Sequence, residues 1–168
     1  GMNRLISFAL AVAAAGSATL WAANPILPLW ELVPDGEPHV FEDPANPGKR
    51  RVYLYGSHDT MATGYCGRDL VVWSAPVEDP GRWRFDGVAF RLSEDANGEP
   101  LLAGNHASLF YAPDVAETTD ASGAKTYWLF PHCRTKGCMT MVAKASRPEG
   151  PFKVCNWDPG NPKRTVGL

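Results

Sequence analysis

Short apolar runs, each closed by a proline or glycine cluster, come in two matching sets along this chain. The first set covers 38–41, 51–57, 70–75 and 83–88. It reads Pro38-His39-Val40-Phe41, Arg51-Val52-Tyr53-Leu54-Tyr55-Gly56, Leu70-Val71-Val72-Trp73-Ser74-Ala75 and a run opening at Trp83. The second reads Pro113-Asp114-Val115, Lys125-Thr126-Tyr127-Trp128-Leu129-Phe130, Met139-Thr140-Met141-Val142-Ala143 and Pro148-Glu149-Gly150-Pro151-Phe152-Lys153. Pro38 and Pro113 are 75 residues apart and Tyr53 and Tyr127 are 74 apart, so the register between the copies holds over two runs. Runs of this length, rich in Val, Tyr and Trp and bounded by turn residues, predict strands. Four such strands per copy make a repeated supersecondary unit of the β-propeller blade type, in which the innermost strands line a central channel. The chain stops where a third copy would begin, after Cys155-Asn156-Trp157-Asp158-Pro159.

Composition supports an all-β reading. Sixteen glycines and 15 prolines supply enough turn-formers to punctuate many short strands, and no helical period competes outside the N-terminus. Net charge is -2, and Lys49-Arg50-Arg51 is the one basic run, read as a solvated hairpin end. Nucleic-acid binding needs basic residues spread over a face, so no nucleic-acid partner is expected. Residues 1–23 read as a leader: Arg4, an apolar stretch over 5–15 and small residues at 16–18 resemble a secretory signal, with cleavage near Thr19 and a secreted or periplasmic location. That stretch is too short to span a bilayer, so no membrane partner is expected. Residues 24–168 read as the N-terminal part of a propeller domain. Cys133 and Cys138 flank a predicted hairpin turn, where buried thiols are expected and a cross-strand bridge is the alternative. No close Cys or His pair completes a zinc site.

Glu37 stands before Pro38, whose stiff X-Pro unit places its carboxylate. Asp114 interrupts an otherwise apolar stretch, where an acid is costly to bury unless hydrogen-bonded or working. Asp35 opens an Asp-Gly turn and reads first as a turn cap. His58, just past the second run, is either a satisfied turn histidine or a ligand contact at the channel mouth. His39, His106 and His132 read as structural or exposed rather than as ligands.

Taken together, Asn24-Pro25-Ile26-Leu27-Pro28-Leu29-Trp30, Pro34-Asp35-Gly36-Glu37-Pro38-His39-Val40-Phe41, Tyr53-Leu54-Tyr55-Gly56-Ser57-His58-Asp59, Asp69-Leu70-Val71-Val72-Trp73-Ser74-Ala75-Pro76 and Tyr111-Ala112-Pro113-Asp114-Val115 resemble the opening of glycoside hydrolase family 43 proteins. The resemblance implies a five-bladed β-propeller with about two blades in this chain, and inverting hydrolysis of arabinose- or xylose-containing saccharides. It puts Glu37 at the position of the catalytic base, normally an aspartate, with Asp35 as the alternative base if the longer side chain only binds substrate. Asp114 matches the carboxylate that orients the general acid and raises its pKa, and Tyr111 matches the aromatic position before it. His58 is carried as a substrate contact. The general-acid glutamate belongs to a later blade, past Leu168, so the 168-residue chain alone is expected to be inactive and to self-associate through open blade edges. No cofactor is implied in this chain, and a structural calcium is admitted in the missing part of the channel. The alternative function is a non-catalytic carbohydrate-binding or interaction propeller module.

Overall fold

The computed structural model describes residues 25–59, 66–91, 109–133 and 141–167. The leader, His106, Cys138 and part of the third run of the second copy lie outside the described residues. Among those described there is no helix, and ten strands build two four-stranded antiparallel sheets and a hairpin. The first sheet, blade 1, runs β1 (Glu37–Glu42), β2 (Arg50–Ser57), β3 (Asp69–Pro76) and β4 (Arg84–Arg91), in that spatial order. The second, blade 2, runs β5 (Asp114–Thr119), β6 (Lys125–Phe130), β7 (Ala143–Ala145) and β8 (Lys153–Val154). A final hairpin, β9 (Trp157–Asp158) and β10 (Asn161–Thr165), follows after Cys155.

Both blades are simple meanders, as the turn chemistry requires. Between β1 and β2, Asp43 accepts from Ala45 N and Asn46 Nδ2, and Gly48 takes a φ of 80° that a side chain would strain. Between β5 and β6, Asp120 collects Ser122 N and Ala124 N, and Gly123 sits at φ 87°. The second turn is tighter, and this breaks the register expected from the repeat. Tyr53 pairs with His39, whereas Tyr127 pairs with Glu117, so the inner strands of the two blades are out of step although the sequence offset is nearly constant.

The blades meet along an aromatic seam. Phe41 packs edge-on against Tyr127, Tyr55 against Phe152 and Phe90 against Phe110. Two hydrogen bonds fasten the same seam: Tyr55 OH donates to Pro148 O at 2.6 Å, and Phe152 N to Ala89 O at 2.9 Å. Burial pushes the Tyr55 hydroxyl's pKa far up, so it stays a donor. Arg51, expected with Lys49 and Arg50 on a solvated hairpin end, is instead buried. Its guanidinium donates to Ser74 Oγ and Ser74 O and faces Asp43, which satisfies a charge that would otherwise be costly inside.

Candidate functional site

The inner strands carry the chemistry. Side chains alternate along a strand, so Glu37, His39 and Phe41 share one face of β1, with Phe41 in the core and the other two above it. Asp114 opens β5, which lies beside β1. One oxygen of Glu37, one ring nitrogen of His39 and one oxygen of Asp114 all lie within 4.8 Å of one another. The two carboxylates chosen from the sequence therefore converge from different blades.

Their setting differs from the expectation in two respects. Asp114 is not buried: its side chain is 66% exposed, and Oδ1 accepts from its neighbour's amide, Val115 N, at 2.7 Å and meets His39 Nε2 at 3.0 Å. His39, read as structural or exposed, is the third member of the cluster. Its signal was available in the period of the strand, since a residue two positions from Glu37 has to share its face.

Of the other candidates, Asp35 is exposed in the turn before β1, at φ 53°, a backbone region that Asp tolerates better than most residues. It is not in the Glu37–His39–Asp114 group. Tyr111 precedes β5, its ring tilted against His132 at 5.2 Å while its amide donates to His132 O. His58 is engaged on both ring nitrogens: Nδ1 lies 3.0 Å from Asp69 Oδ1 and Nε2 lies 3.3 Å from Glu31 Oε1. Glu31 was not singled out from the sequence, although it is an acid in the apolar stretch Leu29-Trp30-Glu31-Leu32-Val33. Its side chain is only 2% exposed and accepts from Trp73 Nε1 at 3.0 Å and Leu32 N at 3.1 Å. This network straps the 25–33 segment to blade 1.

The three-membered cluster does not fit a calcium ion, which takes six to eight oxygen ligands. It offers two carboxylates and a nitrogen, and that nitrogen already faces Asp114.

A curated protein of Thermoclostridium stercorarium, a xylosidase/arabinosidase, is 39% identical over 131 residues, which cover 77% of this chain and 24% of that protein. The crystal structure of a family 43 β-xylosidase/α-arabinofuranosidase from a compost microbial metagenome, in complex with xylotriose and in a calcium-free form, matches with a TM-score of 0.51 at 26% identity. The chain is related to glycoside hydrolase family 43. That match covers 77% of this chain and 36% of the other. A family 43 enzyme of Xanthomonas citri complexed with xylose gives the same TM-score at 20% identity, over 77% of this chain and 33% of that one, and shows the fold alone. No family model matches the chain. The chain thus spans about a quarter of the length of the curated relative and about a third of the two solved structures. The fold is that of the family's propeller, seen here as two blades and a hairpin.

Proposed function

We propose that this region supplies the paired-carboxylate part of a glycoside hydrolase acting on xylose- or arabinose-containing saccharides. The observation that carries the reading is the convergence of Glu37 and Asp114 at the starts of β1 and β5, in a chain 39% identical to a xylosidase/arabinosidase. Glu37 is the base that activates water, with Asp35 the alternative two residues upstream. Asp114 holds the general acid protonated by its negative charge, since a nearby carboxylate raises the pKa of another acid. The acid itself is a glutamate outside residues 1–168. Tyr111 offers a ring to the sugar, and His58 contributes by holding the strap.

Inversion needs acid and base about 6.5–9.5 Å apart, to admit a water between them. The facing oxygens of Glu37 and Asp114 lie within 4.8 Å of each other, which suits a base beside an acid-tuning carboxylate. The same short separation favours a second reading, a retaining pair, for which about 5–5.5 Å is usual.

The test is hydrolysis of aryl β-D-xyloside and aryl α-L-arabinofuranoside by the longer protein that carries this region, with the product anomer followed by NMR. Inversion and loss of turnover in Asp114→Asn support the first reading. Retention with a trapped glycosyl–Glu37 or glycosyl–Asp114 adduct supports the second. The 168-residue chain alone is expected to show no turnover, because general-acid catalysis is typically worth about 10² to 10⁴ in rate.

A further inference from the structure

We propose that His39 is a positioning residue of this site, donating from Nε2–H to Asp114 so that one carboxylate oxygen is fixed and the other is left for the reacting groups. The inference rests on the functional reading above and adds a residue to it.

The ring is held from blade 1 and its bond is made to blade 2. It lies nearly parallel to Phe41, centroids 5.6 Å apart and planes 4° from coplanar, and tilts against Tyr55 at 6.2 Å. Phe41 and Tyr55 are buried in the seam, so the imidazole has a fixed floor. From that floor Nε2 reaches Asp114 Oδ1 at 3.0 Å, a contact spanning 75 residues of sequence. The same oxygen accepts from Val115 N at 2.7 Å. Two donors from different blades therefore converge on Oδ1, and Oδ2 is the oxygen left over. An ionised carboxylate only accepts hydrogen bonds, so Nε2 has to carry the proton for this contact to be attractive.

The position also explains how two like charges share the mouth. Glu37 and Asp114 each bring an oxygen within 4.8 Å of a His39 ring nitrogen and of each other, so the imidazole stands among them. A histidine serving only as packing would need neither the cross-blade bond nor the 26% exposure its side chain keeps.

Two measurements test this. In the 168-residue chain, long-range ¹⁵N–¹H NMR should show His39 with hydrogen on Nε2, and Asp114→Ala should change that pattern. A ring protonated on Nδ1 alone, or one indifferent to Asp114→Ala, overturns the proposal. In the longer protein, His39→Phe keeps the stack and removes the donor. It should lower kcat by on the order of ten- to a hundredfold, the scale of a small misplacement at a reacting centre. KM should stay within about twofold, because an interaction felt mainly in the transition state is lost. His39→Gln restores an N–H near the same place and should recover most of the rate. Full kcat in His39→Phe, with Asp114→Asn inactive, overturns the role of His39 alone. Full kcat in Asp114→Asn overturns the functional reading beneath it.

Discussion

Trp73 in blade 1 and Lys144 in blade 2 occupy matching ladder positions, opposite Leu54 and Trp128 respectively, yet the tryptophan is 4% exposed and the lysine lies in solvent. The difference runs through the third strands. In β3 six consecutive residues are buried, whereas β7 buries Ala143 and turns Lys144 outward. Blade 1 is covered on both faces: blade 2 packs on one, and the 25–33 strap, pinned through Glu31 to Trp73 and His58, packs on the other. In this chain, which spans about a third of its solved relatives, the described residues leave the other face of blade 2 uncovered. A sheet buried on both faces reads as a continuous apolar run, and one buried on a single face alternates. The inner strands, by contrast, are six residues each, and both carry a member of the carboxylate pair.

Damage to the seam between the blades should have the largest effect. Phe152→Ala removes the ring against Tyr55 from a nearly closed site, and large-to-small changes of this kind cost about 3–5 kcal/mol. Urea denaturation of the 168-residue chain should show that loss. Phe85→Ala, on a half-exposed residue of β4, should cost far less. Equal losses would mean that the seam does not dominate.

The strap should come next. His58→Ala leaves Glu31, a buried carboxylate, without one partner and Asp69 with Arg91 alone among those described. Leaving a buried polar group underpaired costs about 1–3 kcal/mol. Hydrogen exchange should loosen in 25–33 and β3 before it loosens in β5 and β6. An unchanged stability with a raised KM in the longer protein would instead return His58 to the role of a sugar contact.

Most of this architecture was legible in advance because alternation and turn chemistry are local. β1, β2 and β3 start and end within one or two residues of the runs read from the chain, and Asp35-Gly36 does form the turn before β1. The fourth strand of blade 1 sits later than expected, at Arg84–Arg91, and its ladder with β3 is irregular around Asp86 and Gly87, the latter at φ 125°. The fourth strand of blade 2 shrinks to Lys153–Val154. Pro148 and Pro151 have no amide hydrogen for a ladder, and the 147–150 turn serves the seam through Pro148 O instead. Glu37 and Asp114 were recognisable as the converging acids, but the bond between His39 and Asp114 was not, since it joins strands of different blades and alternation within one blade does not give the contact between them. Glu31 is the complementary case. An acid in an apolar stretch pointed to Asp114, which is exposed, yet the same pattern fits Glu31 better, because its carboxylate is buried among His58, Trp73 and the Leu32 amide.

The smallest effect concerns the lower end of the same two inner strands, where Lys125 of β6 lies 3.3 Å from both Glu42 of β1 and Glu117 of β5. Partial burial works against the Lys125 charge, but its hydrogen bonds to Glu117 and Glu42 outweigh that and hold its pKa above the ordinary lysine value. The hydrogen bond from Gly48 N, followed by Lys125, holds Glu42 below the ordinary carboxylate range. A depressed carboxylate stabilises the fold above its unfolded-state pKa and loses that contribution as pH falls through the folded-state value. A raised lysine stabilises below its unfolded-state pKa and loses the contribution as pH rises through the folded-state value. The clamp should therefore act across the whole neutral range and fade only in acid or in strong base. Because the groups are partly exposed, salt should weaken it as well. Lys125→Met is expected to lower the thermal midpoint slightly at pH 7 and low salt, with the gap to wild type closing at pH 3 and at high salt. A gap that persisted unchanged under both conditions would trace the loss to packing of the lysine stem, and the inner strands would then be joined by the aromatic seam and the His39–Asp114 contact without electrostatic help at their lower end.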